Sequence, residues 1–193
     1  PMTYPRAIRA DVPTAELPSR ETSASRRQPR TAAGTNWINQ GSELTAMVTN
    51  SPTVMGATQY VCTGWTGTGS APASGTTTNT GPFTLATNST VAWRWSTNYW
   101  LDTSTSGSGT VNVADGWWAS GSNAQITATA GSSWNFSGWT GQTNGCTISS
   151  NTITAPMTYP RAITANFTTV QYSLTVTSPS YGKPSPAAGT NWI

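Results

Sequence analysis

Two segments of this chain occur twice at one fixed offset. PMTYPRAIRA at 1–10 returns as PMTYPRAITA at 156–165, identical at nine of ten positions, and AAGTNWI at 32–38 returns unchanged at 187–193. Both recurrences lie 155 residues apart. Chance in a Thr- and Ala-rich sequence could supply a shared tripeptide, but not sixteen identities in seventeen positions in one register. The 193 residues are therefore one 155-residue repeat plus an overhang of 38 that restates its beginning, the signature of a tandem array. A chain of this kind needs a fold whose last elements are compatible with its first.

A weaker duplication lies within the 155 residues. GWTG stands at 64–67 and again at 138–141, preceded each time by an aromatic-containing strand, QYVCT ending at Thr63 and WNFS ending at Ser137. Upstream of each comes a Gly-Ser turn with an alternating strand, GSELTAMVT from Gly41 and GSNAQITATA from Gly121. A closing hairpin follows each, PFTLATNSTVAWRW from Pro82 and TITAPMTYPRAITANF from Thr152, aligning Leu85 with Met157, Val91 with Ile163 and Trp95 with Phe167. Each unit is thus about 70–80 residues, the size of one small module. The predicted organisation is the tail of a preceding repeat with an anomalous charged segment at 1–31, a first β module at 32–98, a second at 99–168, and the opening strand and loop of a further repeat at 169–193.

Period-two alternation runs through nearly every segment. Ile126, Ala128 and Ala130 share a face, as do Trp134, Phe136 and Gly138, then Ile163, Ala165 and Phe167, and Tyr172, Leu174 and Val176, a pattern of half-buried strands. Thr and Ser supply 60 of the 193 residues, and with 18 Gly and 13 Pro they favour strands and turns. Charged residues are only 8%, too few for a coiled coil or a charged disordered tail. The expected fold is all-β: two tandem small antiparallel-sheet modules, β-grasp-like or sandwich-like, with no long helix. Trp65 and Trp139, before their Thr-Gly turns, read as core plugs, since a module this small has few other ways to bury area.

The run from Ala124 to Phe167 resembles the divergent form of the internalin B-type bacterial repeat. The residues that carry the likeness are Ile126, Ala128, Phe136, Gly138, Trp139, Gly141, Met157, Ile163, Ala165 and Phe167. The first unit keeps Gly64, Trp65 and Gly67, with Cys62 in place of the aromatic and Ala-Trp-Arg-Trp as its ending. The resemblance covers about three quarters of the chain and implies small β modules strung through large secreted or surface-anchored bacterial proteins, with spacer, adhesive or fibre-forming roles and no catalysis. Phe136 and Phe167 then belong to the core with the two tryptophans.

The chemistry available agrees with a non-enzymatic role. The chain has no His, which removes the usual neutral-pH acid–base group and the commonest metal ligand. Two Cys without His make no zinc site, the carboxylates Glu43, Asp102 and Asp115 are scattered, and no loop clusters oxygen ligands for calcium; no cofactor is expected. The net charge of +3 arises entirely within residues 1–30, six Arg against three acids, and residues 31–193 are neutral. Without a basic footprint there, nucleic acid is not an expected partner. No apolar run of membrane-spanning length is present, so no transmembrane segment is expected. The expected location is extracellular or at the cell surface.

Three features remain open at this level. Cys62 and Cys146 fall in different modules, and a disulfide is expected, either between them or from Cys146 to Cys62 of a neighbouring unit. Residues 11–31 match their later counterpart at five of 21 positions and carry seven charges instead of one; they are either mis-specified sequence or a linker, and the sheet of residues 35–95 then lacks a first strand unless one is supplied. The strand at 170–177, with Leu174 and Val176, could supply it, folding back within the chain or inserting into a neighbour against residues 44–48 to build a head-to-tail fibre. The alternative function is glycan binding through Trp117 and Trp118, which cannot both face the core of one regular strand.

Overall fold

The computed structural model describes residues 6–10, 34–177 and 189–192. Its described residues form strands and turns with no helix, the all-β architecture expected. The anomalous segment 11–31 lies outside the described residues. The chain divides into two compact units, Pro1–Tyr99 and Trp100–Ile193.

Unit 1 contains β1 (Arg6–Ala10), β2 (Gly34–Ile38), β3 (Glu43–Met47), β4 (Thr53–Met55), β5 (Thr58–Thr68), β6 (Ser74–Gly75), β7 (Asn79–Thr84) and the first part of β8 (Ser89–Ser106). β5 pairs antiparallel with β4, β6 and β8, while β3 and β7 form a separate two-stranded ladder. Between the two lies the core, Leu44, Ala46, Cys62, Trp65, Ala71, Phe83, Leu85, Val91 and Trp93.

Unit 2 takes the end of β8, then β9 (Gly109–Val111), β10 (Gly116–Ala119), β11 (Asn123–Ala130), β12 (Trp134–Gly141), β13 (Thr147–Ser149), β14 (Thr152–Pro156), β15 (Arg161–Thr169), β16 (Ser173–Val176) and β17 (Gly189–Trp192). β12 pairs with β15, and β13, β14, β11 and β9 form a four-stranded sheet. Ile126, Ile153, Met157 and Ile163 are almost wholly buried, and Phe136, Trp139 and Phe167 pack ring against ring at centroid distances of 5.3 and 5.9 Å.

The units repeat each other hydrogen bond by hydrogen bond. Gly41 N donates to Leu85 O at 2.7 Å and Leu85 N to Ser42 O at 2.9 Å; Gly121 N donates to Met157 O at 2.9 Å and Met157 N to Ser122 O at 2.8 Å. The ladder of β3 with β7 sets Glu43 against Thr84, and that of β11 with β14 sets Asn123 against Pro156. Both long hairpins carry a register shift at the same place, between Cys62 and Gly64 and between Phe136 and Gly138. There Gly64 and Gly138 have φ of 130° and 139°, a backbone that glycine adopts without a Cβ penalty and that marks a bulge. GWTG thus begins at the bulge and runs to the strand end, closing β12 at Gly141 and stopping one residue before the end of β5 at Thr68.

Among the described residues two ladders are parallel, both on β8. The end of β8, Leu101 to Ser106, runs parallel to Arg161–Asn166 of β15 over six residue pairs. Its beginning runs parallel to β1 over two, Ile8 with Ser89 and Arg9 with Thr90. The strand that unit 1 was expected to lack is therefore supplied by β1.

Candidate functional site

The edge built by β1, β2 and β8 is best understood through residue registers. Val91 aligns with Ile163, so Ser89 is the counterpart of Arg161; Ser89 pairs with Ile8, and Arg161 pairs with Leu101. Ile8 thus holds in unit 1 the register position that Leu101 holds in unit 2. On its other side β1 pairs with β2, setting Ile8 against Asn36. β17 is the repeat of β2 at the 155-residue offset, yet it pairs with β16, setting Leu174 against Asn191. Asn191 is Asn36 advanced by 155, so Leu174 and Ile8 share one register against the same strand sequence.

Within the chain, the strand at 170–177 has a partner other than residues 44–48. β16 folds onto β17 of its own chain, and residues 44–47 are paired with β7. The reason lies in unit 2, where the corresponding opening strand, Leu101–Ser106, lies beside β15, the counterpart of the first part of β8, and not beside β11, the counterpart of β3. Leu174 and Tyr172, on the face expected to be apolar and inward, are 43% and 73% exposed, whereas Leu101 in the paired position is 0% exposed. Val176 is half-buried.

Behind this edge each unit clasps its loop. In unit 2 the buried Arg161 donates from Nε to Pro156 O at 2.9 Å and from Nη1 to Gln142 O at 2.7 Å, Asn144 O at 3.0 Å and Cys146 Sγ at 3.3 Å. Its guanidinium lies 4.2 Å from the Tyr159 ring centroid. Carbonyl dipoles and a ring face thus solvate a cation removed from water. In unit 1 the counterpart Ser89 is equally buried and neutral; its Oγ accepts from Ser70 N at 2.8 Å and donates to Thr87 O at 2.9 Å.

The cysteines do not form the expected disulfide: both are free thiols. Cys62 is buried in the core of unit 1, and Cys146 belongs to the loop clasped by Arg161. Burial pushes the Cys146 thiol above its ordinary value, and the Arg161 charge draws it part of the way back.

The remaining residues singled out from sequence fall in separate places. Trp65 is buried and its ring lies so close over Gly75 that a Cβ there would come within 2.7 Å of it. Phe167 is buried, while Trp139 and Phe136 are half-buried; the indole Nε1 atoms of Trp65, Trp95 and Trp139 are buried without a hydrogen-bond partner. Trp117 packs edge-on against Trp100 at 5.1 Å, and Trp117 and Trp118 are both half-buried. Among the described residues the exposed tryptophan is Trp37, 68% accessible, which alignment of Gly41 with Gly121 makes the counterpart of Trp117. Asp115 accepts from Thr103 N at 2.7 Å and from its hydroxyl at 3.1 Å, fixing a turn. Among the described residues no group of three or more His, Cys, Asp or Glu could hold a metal ion, and no helix is long and apolar enough to cross a membrane.

A doubled β module with matched edges defines a tandem structural repeat. Comparison with known families agrees: residues 99–171 match the family described as the divergent InlB B-repeat domain. That family is associated with surface or secreted bacterial proteins. No curated protein and no solved structure matches the chain.

Proposed function

We propose that this chain is an extracellular structural or adhesive repeat that joins copies of itself head-to-tail into a fibre. The observation that supports this reading is the shared register of β1 and β16 against two copies of the same strand sequence. An edge that accepts one such strand is compatible with the other, and a heterologous contact of this kind propagates unless its rotation closes a ring. The role requires no catalytic residue, cofactor or nucleic acid. Sedimentation velocity of the purified chain is expected to show a concentration-dependent series of species; a single monomeric species throughout would refute the reading.

A second reading, a carbohydrate-binding surface, draws on the half-buried Trp117 and Trp118 and on the exposed Trp37. Exposed indoles offer flat apolar faces that recognition surfaces commonly use. A glycan array probed with the chain and with a Trp37→Ala, Trp118→Ala variant tests it; binding lost in the variant supports it, and absence of any binding removes it.

A further inference from the structure

We infer that β16 of one chain enters a second copy of this chain between β2 and the beginning of β8, replacing β1, with Leu174 against Ser89 and Thr175 against Thr90. The inference rests on the self-associating role proposed above and names the strands that carry it. Two registers and one sequence spacing agree. β16 pairs with β17 as β1 pairs with β2, residue for residue after the 155-residue offset. Ile8 sits beside Ser89 as Leu101 sits beside Arg161, the counterpart of Ser89. Leu101 and Leu174 are both preceded two residues earlier by Tyr, at 99 and 172, so β16 has the sequence of an opening strand and β1 that of a closing one.

The present occupant is held weakly where it counts. Among the described residues β1 contributes two residue pairs to β8, whereas the true opening strand of unit 2 contributes six to β15. Among the described residues β16 pairs on one side alone, with β17, and leaves Leu174 exposed. Exchange conserves the rest. β16 leaves β17 for β2, a strand of the same sequence, and the released β1 and β17 are again a matched pair, because β17 repeats β2. The net gain is the longer parallel ladder along β8 and the burial of Leu174 as Leu101 is buried in unit 2. Donor and acceptor edges belong to different units of each chain, so the contact extends from copy to copy.

The test uses the full chain in two differently tagged forms, one carrying Thr90→Cys and the other Thr175→Cys, mixed under mild copper–phenanthroline oxidation. Neighbouring strands bring such residues within disulfide reach, and peptide mapping should find the 90–175 linkage joining the two tags. In parallel, Leu174→Lys, a change at an exposed position that leaves the monomer folded by circular dichroism, should weaken association by about tenfold or more; Thr175→Pro, which removes a ladder donor, should do the same. Association that persists in both variants with no 90–175 linkage overturns the strand exchange and leaves self-association standing. A wild-type chain that stays monomeric overturns both. A 90–175 linkage that forms only within a single doubly substituted chain, at any dilution, overturns exchange between copies.

Discussion

Units 1 and 2 solve one packing problem with side chains redistributed among the same positions. Trp65 is buried and faces Trp93 across the ladder, while its counterpart Trp139 is half-buried and faces Ala165. At the other side of the bulge the sizes reverse, Cys62 facing Trp95 and Phe136 facing Phe167. On the adjoining ladder Leu44 and Ala46 stand where unit 2 has Ala124 and Ile126. Interiors are filled to near-crystalline density, so volume lost at one position must return beside it. A duplicated module accordingly diverges in compensating pairs, and the backbone of the bulge and the Gly-Ser turn stays put.

The largest expected effect separates the two tryptophans. Trp65→Ala should cost about 3–5 kcal/mol, as for other buried aromatics, and Trp139→Ala less because its ring is only partly buried; equal losses in urea unfolding would break the comparison. The two bulge glycines come next. A Cβ on Gly64 would lie 2.1 Å from Gly75 O, whereas on Gly138 it meets nothing within 4 Å. Gly138→Ala should therefore show only the conformational strain, about 1–2 kcal/mol, and Gly64→Ala visibly more, read from the same unfolding curves.

Smaller differences sharpen the contrast between the clasps. Arg161→Ala abolishes charge-assisted bonds to the carbonyls of Pro156, Gln142 and Asn144 and should cost about 2–3 kcal/mol. Ser89→Ala, which leaves Ser70 N and Thr87 O without this partner, should cost about 1–2 kcal/mol; the reverse order in thermal unfolding would contradict the view that the charged clasp is the stronger. Last is the volume exchange. Cys62→Phe alone should overpack unit 1 by about 1–2 kcal/mol, and adding Trp95→Phe should recover most of that, a double-mutant coupling that additive losses would refute.

Much of this fold was legible in the residues. The two levels of repetition, the strand faces through Ile126, Ile163 and Phe167, and the absence of a long helix all follow from local alternation, which strands impose whatever their partners. Pairing partners were less accessible. Parallel and antiparallel neighbours leave the same apolar face, so nothing in Ile8 or Leu101 announces that each runs parallel to its neighbour. AAGTNWI is more telling still, since identical sequence pairs with β1 in one place and β16 in the other; partner choice there is set by what the rest of the chain brings alongside. Arg161 passed in sequence as one of three cations outside the first 30 residues, because burial of a charge depends on which carbonyls converge around it, here those of a loop some 15–19 residues away.

The bulge at Thr63 and Ser137 also sets the phase of its strand. In a regular strand, residues three apart point to opposite faces, yet Phe136 and Trp139 touch, and Cys62 and Trp65 line one core. The extra residue shifts the alternation by one, so that an odd spacing becomes an inward pair. Deleting Ser137 alone would leave Phe136 and Trp139 two positions apart, on one face of a regular strand, and the Trp139 ring would stay inward without any bulge. Closing the bulge with Ser137 retained would do the opposite, placing the two rings on opposite faces of the strand and displaying one of them as an aromatic patch open to association.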